Sequence, residues 1–304
     1  MTPFQTLTRS FPSLTPLKPI AYRLTLMAVT TSQQITSYYQ QFENTEVTFT
    51  REVIQALLLN TKQIFIKCLG YQWPCIIYSS SMSNAKIITT LQPSLRDSLN
   101  KSKNVVSLRF SFIQREKTDP LAFFVSSRIV GIAPYGDPTK GLSFLNLQYT
   151  QRPPDDLIER LGNLLSANVS FHRRREERII ISPDVQKKIG LLSTGVQVTV
   201  DNVPRKGLLR DISFGGAKVL MQGVPQFLVD RTASLRLEFD DPQETLTIAG
   251  TIVRFEPVEG RSDISAFAIQ FEEKHVSMPF KMRLSSYLRL IKQPLKKKPD
   301  PNKK

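Results

Sequence analysis

Short runs in which apolar and polar residues alternate occupy much of the chain. In the first half, Val106–Phe112 and Leu142–Tyr149 show the period of two that is typical of a strand with one buried face. The same pattern recurs in the second half at Val196–Val200, Leu235–Phe239 and Phe267–Phe271. Strands this short and closely spaced favour barrels over a parallel α/β sheet. The pattern therefore predicts a mainly β protein with two small antiparallel β-barrel domains.

Helical signals flank these strands. Ser32–Glu43 is a candidate helix, and Arg51–Leu59 follows the N-cap candidate Thr50. Asp155–Ser166 has two acids at its start, where the helix dipole favours them, and an apolar stripe along one face. A last helix begins near Pro279, and we expect its apolar face to pack on the second barrel.

These elements divide the chain of 304 residues into two domains of ordinary size. We expect a first domain at 27–152, a helix and arginine-bearing linker at 153–178, and a second domain at 179–292. Residues 1–26 are expected to be a disordered or non-native extension. Residues 293–304 are expected to be a disordered basic tail.

The charge of the chain is strongly positive, with 41 Lys and Arg against 26 Asp and Glu and a net charge of +15. Such an excess favours anionic partners, including nucleotides and nucleic acid. Six lysines lie between Lys292 and Lys304, so part of the excess belongs to the tail. Prolines and basic residues interrupt 1–26, which argues against a signal peptide and makes Met27 an alternative start.

The residue types needed for catalysis or metal binding do not cluster. Cys68 and Cys75 are spaced neither like zinc ligands nor like a redox pair, and His172 and His275 are far apart in the sequence. We therefore expect no enzyme, no metal and no cofactor. No run of eighteen apolar residues occurs, which predicts no membrane span. Low cysteine content without an export signal favours the cytoplasm.

Two short motifs in the second half carry the candidate chemistry. The first is Arg174-x-x-x-Arg178, which ends directly before the apolar run at Ile179. The second is Asp211-Ile-Ser-Phe-Gly-Gly216, at a point where a strand should turn back. Each motif is weak by itself, because basic helix ends and polar turns are common. Their joint order, spacing and β-rich context make a specific signal.

Together these residues resemble the PilZ domain family of cyclic di-GMP receptors. The family pattern is Arg-x-x-x-Arg in a flexible lead-in, followed by Asp/Asn-x-Ser-x-x-Gly after the second strand. The resemblance covers roughly 172–292 and implies cyclic di-GMP as the ligand. The ligand-binding residues that it implies are Arg173, Arg174, Arg178, Asp211, Ser213, Gly215 and Gly216.

The chemistry of cyclic di-GMP suits these residue types. A planar guanidinium can donate two parallel hydrogen bonds to guanine O6 and N7, which a lysine cannot reproduce. Asp211 can accept from guanine N1–H and N2–H₂, while Ser213 can reach a base or a phosphate. Gly216, with Gly215 beside it, is expected to allow positive φ and a close approach of the ligand.

The residues around Arg174 leave several alternatives open. In proteins with this motif, an arginine at the position of Arg173 accompanies a stacked pair of ligands, and the alternative is a solvated charge. Arg175 is expected to be solvated, and His172 is expected to be exposed or to stack beside the ligand. Glu176 and Glu177 are expected to pair with neighbouring arginines.

The first half resembles the PilZ-like domain that precedes the receptor domain in some two-domain members. The segment Gln72–Ile77 and the number of strands carry this similarity. Neither motif occurs in this half, so we assign it no ligand. Trp73 is expected to belong to the core.

The resemblance implies a receptor in which cyclic di-GMP reorients the two domains and regulates motility or a switch in lifestyle. A protein effector of motility is then an expected partner. One alternative is a nucleic-acid-binding regulator that uses the basic surface. Another is a protein adaptor that has lost the ligand.

Overall fold

The computed structural model describes residues 30–114, 117–137, 141–240 and 243–292, apart from the side chain of Ser262. The predictions made for residues 1–26, for Met27 and for the tail 293–304 lie outside these ranges. Within them the protein is mainly β and forms two antiparallel sheets. The predicted fold class is confirmed.

The first sheet has eight strands in the spatial order β1-β4-β5-β8-β7-β6-β2-β3. Among the described residues no pairing joins its two edge strands, so this sheet is a half-barrel and not the closed barrel that the pattern suggested. Alternation reports which face of a strand is buried, and it does not report whether a sheet closes. The strands are β1 (Val47–Thr48), β2 (Phe65–Cys68), β3 (Tyr71–Pro74), β4 (Ile76–Ser80), β5 (Asn84–Thr90), β6 (Val105–Phe112), β7 (Leu121–Pro134) and β8 (Leu142–Tyr149).

Four helices contribute buried side chains to the core of this half-barrel. They are α1 (Ser32–Phe42), α2 (Arg51–Leu57), α3 (Pro93–Lys101) and α4 (Asp155–Arg173). Thr31 caps α1 with a capping box, and the Thr50 side chain accepts from the Val53 amide to cap α2 as predicted. Trp73 lies in the core with side chains of α1 and α4. The helix α3 was not predicted.

The second sheet closes on itself. Six strands run in the order β10-β13-β14-β15-β12-β11, the pairing of β10 with β11 completes the barrel, and β9 extends β11. The strands are β9 (Ile179–Ile180), β10 (Gly195–Val200), β11 (Val203–Ile212), β12 (Gly216–Gln222), β13 (Thr232–Asp240), β14 (Gln243–Val258) and β15 (Arg261–Phe271). The helices are α5 (Pro183–Ile189), α6 (Pro225–Leu228) and α7 (Met278–Lys292).

One helix, α4, belongs to both hydrophobic cores. Leu157 and Leu161 lie in the core of the half-barrel, whereas Phe171 lies in the core of the barrel, edge-on to Phe214 at 6.0 Å. The sequence pattern ended this helix at Ser166, so it is seven residues longer than predicted. A continuous helix therefore joins the two units where a linker was expected to begin.

The last helix, α7, packs on the barrel as predicted and also reaches the first unit. Its residues Phe280, Leu284 and Leu288 are buried in the barrel core. Met278 lies in the core of the half-barrel, and Arg289 donates to Asn163 Oδ1 of α4 at 2.6 Å. The two units are therefore held together by α4 and α7.

Candidate functional site

The arginine segment lies at the end of α4. Arg173 is the last residue of this helix, and the Arg174 amide donates to the Ser170 carbonyl at 2.9 Å. A turn follows, in which the Glu177 amide donates to the Arg174 carbonyl at 3.0 Å, and Arg178 directly precedes β9. The segment expected to be a linker is thus a short turn between a helix and a strand.

The second motif is the turn between β11 and β12. Asp211 follows an irregularity in the pairing of β11 with β12. The Ser213 amide and hydroxyl both donate to the Gly216 carbonyl, at 2.8 and 3.3 Å. Phe214 is fully buried and contacts Phe171 at the end of α4. The buried Phe214 therefore fixes the turn against the helix that carries the arginines.

Polar contacts join the two motifs directly. Arg178 Nη1 donates to Asp211 Oδ1 at 2.5 Å, with both side chains only partly exposed. The Gly215 amide donates to the Arg175 carbonyl at 3.0 Å, and its own carbonyl accepts from the Phe271 amide at 2.9 Å. These contacts hold the arginine segment, the turn and the end of β15 together.

The two glycines of the turn do not have positive φ, which corrects the expectation from sequence. Both are buried, and both allow close contact with other parts of the protein. A Cβ on Gly216 would lie 2.4 Å from the Ile269 carbonyl oxygen, and one on Gly215 would lie 2.8 Å from Arg175 Cγ. The glycines are needed because β15 and the arginine segment approach the turn so closely.

A cleft of about 270 Å³ opens where the motifs meet. Four of the predicted residues line it: Arg178, Ser213, Gly215 and Gly216. Asp211 does not line it and contacts Arg178, which does. Arg173 and Arg174 do not line it, and Arg174 Nε lies 3.7 Å from Glu177 Oε2. The predicted pairing of Glu177 with an arginine is confirmed.

The opposite wall of this cleft was not predicted from the sequence. That wall is formed by β14 and β15, through Val253, Arg254, Ala268, Ile269 and Gln270. Glu176 also lines the cleft. A second cleft of about 500 Å³ shares Gln270 and is bordered by Arg175 and by residues 271–274. Arg175 was expected to be solvated, but its Nη1 lies 3.1 Å from Glu273 Oε2.

Several cations surround the cleft. Lys218 Nζ lies 2.9 Å from Glu256 Oε2. This contact holds the pKa of the Glu256 carboxyl below its ordinary value, and Arg254 and Arg178 act in the same direction. The guanidinium groups at the cleft suit the binding of an anion with planar hydrogen-bonding edges.

Two further features of the described residues bear on the requirements of a metal site and of a membrane-spanning helix. Within the described ranges no group of His, Cys, Asp or Glu side chains is arranged to hold a metal ion. None of the described helices carries an apolar stretch long enough to cross a bilayer.

Comparison with known proteins agrees with the two units. Residues 33–168 match the PilZN3 domain and residues 172–289 match the PilZ domain. A protein of Treponema denticola described as "Cyclic di-GMP binding protein" is 45% identical over 268 residues, which are 88% of this chain and 85% of the relative.

The solved structures that match this chain have low similarity to it. The PlzA protein of Borreliella burgdorferi, solved in complex with c-di-GMP, is 24% identical with a TM-score of 0.39, over 84% of this chain and 98% of that chain. MrkH of K. pneumonia, solved as a c-di-GMP complex, is 11% identical with a TM-score of 0.29, over 86% of this chain and 94% of that chain. The matched domains and the 45% identical relative show that the chain belongs to the PilZ domain family, with a PilZN3 domain before its PilZ domain.

Proposed function

We propose that the chain is a cyclic di-GMP receptor that binds its ligand in the cleft between the turn at 174–178 and the turn at 211–216. One observation carries this proposal: Arg178, Ser213 and the two glycines of the second turn line the same cleft. The 45% identical relative described as a cyclic di-GMP binding protein supports it independently.

Each proposed residue has a distinct chemical role. The Arg178 guanidinium donates to guanine O6 and N7, and Asp211 orients it and accepts from guanine N1–H and N2–H₂. Ser213 and the backbone of Gly215 and Gly216 form the floor of the cleft. Binding needs no bond to be made or broken, so the proposed role is recognition without turnover.

Arg173 and Arg174 lie at the end of α4, outside the lining of the cleft. We assign them to one phosphate of the ligand or to a second, stacked ligand molecule. Both are part of the helix terminus that packs into the barrel through Phe171. A ligand that contacts these arginines would therefore contact the end of α4.

The proposed output is a change in the arrangement of the two units that regulates motility through a protein effector. The helix α4 supports this idea, since its first turns belong to the half-barrel core and its end adjoins the cleft. The ligand can favour one arrangement only if it binds that arrangement more tightly. Small-angle scattering with and without cyclic di-GMP tests this part.

Calorimetric titration of cyclic di-GMP at physiological salt tests the binding itself. Wild type should bind saturably, and Arg178→Ala should weaken binding by at least about 100-fold, because a charged hydrogen-bonding partner of the base is lost. Arg236→Ala is the matched control, since Arg236 lies on β13 and pairs with Glu238 outside the cleft.

The stoichiometry also decides the role of Arg173. Two ligands per chain, reduced to one by Arg173→Ala, would assign this residue to a stacked pair, whereas one ligand in both proteins would leave it a solvated charge. No heat from folded wild type would refute the proposal. The adaptor and nucleic-acid alternatives would then be the remaining ones.

A further inference from the structure

One cross-strand row runs from the second motif to the opposite wall of the cleft, which β14 and β15 form. Asp211 on β11 pairs with Lys218 on β12, Lys218 pairs with Ala268 on β15, and Ala268 pairs with Arg254 on β14. Residues in register on neighbouring strands point to the same face of a sheet. Phe267 and Ile269, which flank Ala268, lie in the barrel core, so this row lies on the outer face.

The small side chain of Ala268 leaves a depression in this row between Lys218 and Arg254. Ala268 and Arg254 both line the cleft, and Lys218 is the partner of Ala268 on its other side. Neighbouring strands are about 4.8 Å apart, which places the backbones of Lys218 and Arg254 about 10 Å from each other. Long side chains from both positions can therefore reach one group above Ala268.

A carboxylate of the protein already interacts with these cations. Glu256 is in register with Ala266, two residues from Ala268, and therefore faces outward beside the depression. Its Oε2 accepts from Lys218 Nζ at 2.9 Å. The pKa of Glu256 is lowered first by Lys218, and Arg254 and Arg178 add to the effect.

Arg254 differs from three of the other four arginines of the site. Among the residues that the structure describes, Arg178, Arg174 and Arg175 each have an acidic partner within 4 Å, and Arg254 has none. Its side chain is exposed at the cleft, so its guanidinium donors are open to an anionic ligand.

We propose that Arg254 and Lys218 form a phosphate-binding pair of the cyclic di-GMP site, and that Glu256 is the internal anion with which the phosphate competes. This inference rests on the proposed function and extends the site beyond its two motifs. On the side of the cleft that carries the two motifs, the near wall, the Arg178 guanidinium is the proposed donor to guanine and the Asp211 carboxylate is the proposed acceptor. Arg254 and Lys218 supply two cations on either side of Ala268, which suits a phosphodiester, and the neighbouring carboxylate of Glu256 is paired with Lys218.

Titration of cyclic di-GMP into Arg254→Ala tests the pair. We expect about tenfold weaker binding with unchanged stoichiometry, as for the loss of one charged hydrogen bond. Arg236→Ala should bind like wild type. Equal thermal midpoints of the two variants would show that folding is intact. Binding by Arg254→Ala within twofold of wild type would overturn the inference.

Conservative variants separate a phosphate contact from a base contact. Lysine can bind phosphate as a point charge but cannot form the planar fork that reads a base. Arg254→Lys should therefore bind within about threefold of wild type, and binding as weak as that of Arg254→Ala would overturn the assignment to phosphate.

Removal of the negative charge of Glu256 should change the affinity for cyclic di-GMP in the opposite direction. Glu256→Gln should bind cyclic di-GMP about threefold more tightly, since exposed charge interactions are modest. Unchanged or weaker binding would overturn the competing role of Glu256. If wild type binds and Arg178→Ala does not, while Arg254→Ala matches wild type, only the present inference fails. If folded wild type does not bind, the proposed function fails with it.

Discussion

The guanidinium of Arg178 and the carboxylate of Asp211 lie 2.5 Å apart, and this ion pair joins two motifs that are 33 residues apart in the chain. The Asp211 side chain is 14% exposed and that of Arg178 is 36% exposed. An ion pair orients both groups, because the carboxylate limits the directions that the guanidinium can take. The two motifs therefore form one polar cluster in the folded chain.

Arg178→Lys tests whether this orientation serves recognition of a base. The variant keeps the charge and can keep the ion pair, but it loses the planar fork. We expect binding of cyclic di-GMP to weaken by about 1–3 kcal/mol, the discrimination that a bidentate base contact provides. Calorimetry measures this, with Arg236→Lys as control. Equal affinity of Arg178→Lys and wild type would contradict a bidentate contact.

Gly216→Ala tests the close approach of β12 to β15. The added Cβ would lie 2.4 Å from the Ile269 carbonyl oxygen, which is backbone and cannot move without shifting the strand. We expect the free energy of unfolding to fall by about 2–3 kcal/mol. In Gly195→Ala the nearest atom is the Ser193 hydroxyl at 3.2 Å, and the change should be within about 0.5 kcal/mol. Urea unfolding compares the two, and equal values would show that β15 yields easily.

The sequence predicted one side of the candidate site, the turns at 174–178 and 211–216, because each turn is a contiguous motif. It did not predict Arg254, for a physical reason. Ile252 is buried, so strict alternation would point Arg254 inward as well. The pairing of β14 with β15 is irregular between these two residues, and this bulge turns Arg254 outward. A single sequence rarely reveals a bulge, since the extra residue has no characteristic identity.

The end of α4 shows the other limit of prediction from sequence. The apolar stripe predicts this helix only as far as Leu165, and the basic residues after Phe171 are typical of a linker. In the structure Phe171 is buried against Phe214 from the turn between β11 and β12, and this contact supports the last turns of the helix. The partner of Phe171 is distant in sequence, so local patterns could not indicate it.

Cys75 gives a prediction for alkaline pH. Burial raises the pKa of its thiol to about 12, whereas the pKa of a cysteine in an unfolded chain is about 8.5. The folded state keeps a proton that the unfolded state releases, so this contribution to stability is complete below about pH 8.5 and is lost as pH rises towards 12. Between pH 9 and 10 we expect the free energy of unfolding to fall less steeply with pH for Cys75→Ala than for wild type. The two slopes should differ by about 1 kcal/mol per pH unit. Identical slopes for the variant and wild type would show that the thiol ionises in the folded protein.

Arg289 is a polar link between the last helix and the first unit, and the Met278 amide, which donates to Glu52 Oε1, is another. Its Nη1 donates to the Tyr38 hydroxyl of α1 and to Asn163 Oδ1 of α4. Arg289→Ala should lower the free energy of unfolding by about 1–3 kcal/mol, because charge-assisted hydrogen bonds at a partly buried position are lost. Ile291→Ala is the control on the same helix, since its side chain is 51% exposed, and it should cost less than about 0.5 kcal/mol.

The partner of Arg289 can be tested in a double-mutant cycle with Tyr38→Phe, which removes only the hydroxyl. If the contact acts across the interface, the double variant should be more stable than the sum of the two single changes predicts, by about 0.5 kcal/mol or more. Additive effects in urea unfolding would mean that Arg289 stabilises α7 without coupling it to α1. The cycle thus separates a link between the two units from a contribution within the barrel.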